Sequence, residues 1–184
     1  MDVSIWLWLL LAVIIFWLVG LYNRLMRIRI RAMEVLAAME RQVGLCLSLL
    51  ESYGASQRPN DNQADAGRIE LPDGWARLVQ AARLVEAIWG TPRKNGLSPN
   101  VQLKRSESWT ALQLEWEALI ATPPDLAGAP VPDAMRMDWE SHRQKAKSIQ
   151  DALNAILDSY NEAVHEYPAR WVATLMGFEP TAKI

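Results

Sequence analysis

Few residues in this chain are of types that do chemistry, and their spacing argues against most of it. There are two histidines, His142 and His165. A zinc site gathers three or four ligands, and neither histidine has a convincing carboxylate partner. Both read as boundary or surface residues. Cys46, the lone cysteine, and Ser48 are nucleophiles by type. Activation needs a neighbouring base or a strained turn, and neither residue has one nearby in sequence. A single cysteine also excludes an intrachain disulfide and a cysteine-based zinc site. Gly90 to Gly96 holds two glycines and a lysine, but lacks the spacing and the closing Lys-Ser/Thr of a phosphate loop. These residues point to no enzyme, no metal, no cofactor and no small-molecule substrate.

Three polar residues are placed more suggestively. Arg29 falls on an apolar helical stripe, where an unpaired buried charge is costly. Its stem could pack while its head reaches lipid phosphate or solvent. A sharper reading pairs it with Glu162 or Glu166. Asn154 and Asn161 lie beside a second stripe, where asparagine often fixes helix register; they could also line a partner groove.

What must position these residues begins with an uncharged run from Val3 to Leu21, followed at once by Arg24, Arg27, Arg29 and Arg31. As a helix the run is about 28 Å long, close to the hydrocarbon thickness of a bilayer. No lysine or arginine precedes it. It is long for a cleaved signal, and Phe16, Trp17 and Leu18 stand where small residues are needed. Residues 1–22 therefore read as an uncleaved anchor. Basic residues near a span stay in the cytoplasm, which places the N-terminus outside and the C-terminal body inside. Trp6 and Trp8 would mark the outer interface, and Tyr22, Arg24, Arg27 and Arg31 the inner one.

The 184-residue chain leaves one domain's worth of residues after this anchor. Its hydrophobic content of 51% suits a packed core, and its net charge of −2 argues against a general nucleic-acid binder. Apolar residues recur at spacings of three and four, the signature of packed helices. The first stripe reads Tyr22, Leu25, Arg29, Ala32, Leu36, Met39, Val43, Cys46, Leu50, Tyr53. No proline interrupts it, so the anchor continues into the first cytoplasmic helix, near 23–53. A second helix near 73–89, capped by Asp73, carries Trp75, Leu78, Ala82, Val85 and Trp89. A third, near 106–121, begins about Ser106 and carries Trp109, Leu112, Trp116 and Leu119. The last, near 134–167 and capped by Asp133, has a heptad seam of Trp139, Ala146, Leu153, Tyr160 and Tyr167, interleaved with His142, Ile149, Ile156 and Ala163. Pro168 should kink or break it. Residues 55–72, 91–105 and 123–133 read as loops. The predicted fold is all-α: one transmembrane helix continuing into an antiparallel four-helix bundle.

These landmarks resemble the LemA family. Tyr22-Asn23, Leu25 and Arg29 directly after a single span look like its opening, and Met39-Glu40-Arg41-Gln42-Val43 resembles a segment of its first helix. Val79, Ala82 and Arg83 fit its second helix, and Pro124-Asp125-Leu126 the end of its third. The fullest likeness is C-terminal: Tyr160-Asn161, Val164, Tyr167-Pro168, Ala173 and Gly177-Phe178 keep the family's order, with Asn154 seven residues before Asn161. The resemblance covers most of the chain. It implies a bacterial membrane-anchored antiparallel four-helix bundle and no defined activity. The chain also departs from the family. Gly44 to Leu50 replaces a basic, proline-containing element, and Leu153 replaces a tyrosine. The aromatic end after Phe178 is reduced to Glu179–Ile184.

The expected role is therefore that of a noncatalytic module of the bacterial inner membrane. It would contact the bilayer and a membrane-protein partner or a second copy of itself. An alternative is a peripheral sensor of anionic lipid: Arg24, Arg27 and Arg31 share a face, and Trp171 to Phe178 could lie on the membrane. Nine tryptophans are many for this length. Most fall on the helical stripes and read as core; Trp75, Trp89, Trp109 and Trp116 could instead form an apolar docking face.

Overall fold

A computed structural model of the chain describes residues 2–56, 73–90, 96–124, 129–167, 169–175, 177–178 and 180–184. Among the described residues the chain is all-α, without strands. Helices α1 (Asp2–Ser56), α2 (Asp73–Trp89), α3 (Pro99–Ile120) and α4 (Asp133–His165) precede a short α5 (Ala169–Leu175).

Helix α1 has 55 residues, a length of about 82 Å. It contains no proline to break it, and alanine, leucine, methionine and arginine favour its continuity. Its two parts meet different surroundings. From Ile5 to Val19 almost every large apolar side chain is exposed. From Leu25 onward a stripe turns inward: Leu25, Ala32, Leu36, Met39, Val43, Cys46 and Leu50 are buried. Tyr22 and Tyr53 are half-buried, whereas Arg29, expected on the packed face, is exposed.

In α4 the seam residues Trp139, Ala146, Leu153, Tyr160 and Ala163 are buried, joined by Met135, Leu157 and Val164. Tyr167 was expected to extend that seam but is 78% exposed. The helix ends at His165, and Glu166 takes an extended conformation (φ −60°, ψ 135°). A residue preceding proline is disfavoured in the helical region, so Tyr167 leaves the heptad register. Pro168 itself lies outside the described residues, as do 57–72, 91–95 and 125–128 of the expected loops.

Two helix starts differ from expectation. Helix α3 begins at Pro99 rather than near Ser106, so 99–105 is helix and not loop. Proline suits the first helical position, where its missing N–H has no acceptor to lose. At α4, Pro132 occupies the cap and Asp133 is the first helical residue, with its carboxylate 3.7 Å from Arg136. Helix α2 starts at Asp73.

Helices α1 and α4 pack antiparallel. Leu25 clusters with Tyr160, Ala163 and Val164, while Gln42, farther along α1, bonds to His142. Helices α2 and α3 also run antiparallel: Arg77 pairs with Glu115 at 3.1 Å, and Trp89 lies under Arg105. The two pairs meet through stacked indoles. Trp139 of α4 lies 4.5 Å from Trp116 and 6.5 Å from Trp109, centroid to centroid. Large aromatic faces bury much apolar area at such contacts.

After α5 the chain turns at Gly177, which has φ +70°. Phe178 N–H donates to Ala173 O, and Gly177 N–H donates to Thr174 O. This is the glycine-terminated helix end in which two orphan carbonyls gain donors. Beyond it, the described residues of the tail run back along α4.

Candidate functional site

The end of the body next to the apolar stretch of α1 is built around Phe178. Its ring lies 6.1 Å from Tyr22, and the Arg29 guanidinium sits 5.8 Å above it. Leu25, Tyr160, Ala163, Val164 and Ala173 complete the cluster. An arginine over an aromatic face keeps its outer edge in water while its plane packs, so Arg29 needs no carboxylate there. The ion pair to Glu166 belongs to Arg24 instead, at 3.9 Å and largely exposed. Arg24, Arg27 and Arg31 point outward, as does Asn23. Trp6 and Trp8 are each 69% exposed on the apolar part of α1. Tyr167 and Trp171 form an exposed edge-to-face pair beside this end.

The two asparagines do something the sequence did not announce: they hold the tail. Asn161 donates its amide to Thr181 O at 2.9 Å and accepts Thr181 N–H at 2.9 Å. Asn154 donates to Ile184 O at 2.9 Å and accepts Ile184 N–H at 3.0 Å. Gln150 adds a second donor to Ile184 O at 2.7 Å. Each asparagine thus satisfies both main-chain groups of one tail residue. The spacing is geometric. Seven helical residues rise about 10.5 Å, and three extended residues span about 10 Å. Thr181 and Ile184 therefore meet successive asparagines. Phe178, Thr181 and Ile184 are all buried. Lys183 reaches Asp158 at 2.8 Å, and Thr181 Oγ1 donates to Leu97 O.

Arg105 was also missed. It is fully buried, 3.0 Å from Glu40 of α1 and 5.5 Å over the Trp89 ring. Gln102, equally buried, donates to Gly96 O at 2.6 Å. The three-and-four spacing of α3, carried back from Trp109, runs through both; their polar character hid them.

The remaining chemical candidates are separated. Gln42 Nε2 bonds to the His142 ring at 2.9 Å and to His142 O at 3.1 Å. His165 bonds Asn161 O near the other end of α4. Among the described residues no three His, Cys, Asp or Glu side chains gather as a metal site would require. Burial pushes the Cys46 thiol up to about 12, which keeps it protonated and unreactive. Ser48 returns its hydroxyl to Leu45 O within its own helix. Trp75, Trp89, Trp109 and Trp116 are buried in the core and form no exposed face.

No protein-family model, curated protein or solved structure matches this chain.

Proposed function

We propose that the chain is a membrane-anchored, noncatalytic interaction module: a divergent LemA-type antiparallel four-helix bundle carried on one transmembrane helix. The observation that carries this reading is the contrast within α1. Its N-terminal part includes a window of mean hydropathy 2.5 of which none is covered by the rest of the protein. Its remainder supplies one wall of a packed core. So large an uncovered apolar surface needs lipid or another apolar partner. Buried polar side chains in the body serve packing: Arg105 holds Glu40, Gln102 holds Gly96 O, and Thr181 holds Leu97 O. The proposed setting is the bacterial inner membrane, with the N-terminus outside and the bundle in the cytoplasm. The order of family-like motifs supports the LemA comparison; the apolar Gly44–Leu50 segment and the altered tail are where function would diverge.

The test is in-cell cross-linking of tagged full-length protein at native expression, with mass spectrometry of what is captured. One dominant membrane-protein partner, or the chain itself, supports an interaction module. No capture above background counts against it.

A second reading, sensing of anionic lipid, is favoured by the outward placement of Arg24, Arg27 and Arg31 beside exposed Tyr167 and Trp171. Neutralising the three arginines should then weaken anionic-vesicle contact by the tethered body, at about 1 kcal/mol for each charge. Unchanged contact would reject it.

A further inference from the structure

We propose that the face of α4 bearing Gln150, Asn154 and Asn161 is a receptor groove for extended polypeptide, and that its second occupant, besides the chain's own tail, is the tail of another copy. This rests on the interaction-module reading and names its partner.

The groove recognises main chain. Every contact from Gln150, Asn154 and Asn161 described above goes to an N–H or C=O of the tail. Such contacts set conformation and register and are indifferent to side-chain identity, as when a sheet edge accepts an added strand. Side chains at every third position supply the rest. Phe178, Thr181 and Ile184 are buried, and Lys183 meets Asp158. The ligand is thus an extended segment with buried residues at i, i+3 and i+6 and a cation at i+5. The described tail residues, Phe178 and 180–184, meet this description, and every copy of the chain carries them.

Two features favour exchange between copies. The tail departs from the body at Gly177, the one described residue with positive φ, where main-chain rotation meets no Cβ. Anchored copies would also hold their grooves at one height above the membrane, because α1 runs unbroken from the apolar segment into the groove's own antiparallel partner. Seven residues from that hinge reach at most about 24 Å, so exchange joins copies standing side by side. Swapping an identical segment reproduces the same contacts in trans and costs little beyond association.

The experiment uses full-length chains in one membrane. One chain carries Asp158→Cys and the other Lys183→Cys, with different tags, and a short bis-maleimide joins them. The native Cys46 is buried and does not compete. A chain carrying both substitutions reports the seated tail by closing on itself. The expected result is a cross-linked pair of chains. Adding Asn161→Ala to the Asp158→Cys chain should lower its yield roughly tenfold, through loss of two hydrogen bonds. The same change in the Lys183→Cys chain should leave the yield equal or higher, because it frees that chain's tail. Self-closure without any inter-chain product would restrict the groove to its own tail and overturn the proposal, while leaving an interaction module with a different partner standing. An inter-chain product indifferent to Asn161 would overturn it as mere proximity. Absence of self-closure would overturn the seat itself, and capture of a different protein by the Asp158→Cys chain would overturn the second-copy assignment.

Discussion

Arg105 shows most plainly how a residue's type can mislead about its place. Arginine is among the residues least often fully buried, yet this one is fully enclosed and held by Glu40 and the Trp89 ring. Removing one member of such a pair takes a close charge partner from the other in a largely dry site. Arg105→Ala should cost about 3–5 kcal/mol in denaturant unfolding, whereas Arg105→Met, which refills the space, should pair well with Glu40→Met and cost far less in the double variant. Equal losses in both would mean that packing volume and not charge decides the site. Cys46 allows a simpler check. With its thiol pushed up to about 12 by burial, it should resist maleimide at pH 8 in the folded protein and react on denaturation. The Glu140–Arg143 bridge sets the sign of one pH effect. The Arg143 hydrogen bonds hold the Glu140 carboxyl below its usual range. Its contribution is therefore present above the ordinary carboxylate pKa and fades as pH falls through the lowered folded value. The pair is substantially exposed, so Glu140→Gln should change stability at neutral pH by only a few tenths of a kcal/mol.

At the scale of elements, periodicity specified the inward faces well. Most residues of the expected stripes of α1 and α4 are buried, with Tyr22, Tyr53, His142, Ile149 and Ile156 half-buried and Arg29 exposed, because spacings of three and four put side chains on one face. Trp139 stands where the two helix pairs meet, stacked on Trp116 and flanked by Trp109. Trp139→Ala should cost about 3–5 kcal/mol, read as a fall in Tm; a loss near that of an exposed substitution would contradict this packing. Element ends were harder to read. Pro99 looked like loop and is the first residue of α3, and Tyr167 looked like seam and is exposed. Both errors arise at prolines, whose effect depends on which side of a helix boundary they fall. The tail adds an element with no regular secondary structure, yet its amides are held. Hydrogen exchange at Thr181 and Ile184 should be slow relative to free coil, and Asn161→Ala should speed Thr181 first. Rapid exchange at both in the unaltered chain would deny that the asparagines hold them.

For the whole molecule, the exposed apolar N-terminal part of α1 predicts that the full-length protein stays with the membrane fraction after carbonate washing. An alkaline phosphatase fused after Ile184 should be inactive if the bundle is cytoplasmic, and strong activity would reverse the orientation. The sequence by itself determined the helical class, the apolar segment long enough to cross a bilayer, and the buried stripes. These depend on neighbours within a few turns, where hydrophobic periodicity acts directly. Only the tertiary structure decided that Arg29 stacks on Phe178, that Arg105 finds Glu40, and that Asn154 and Asn161 hold the tail. Each of those pairs lies at least twenty residues apart in the chain. Asparagine beside a seam is compatible with fixing register or with binding a strand, and the choice is made by which main-chain groups come to lie opposite it once the helices have packed.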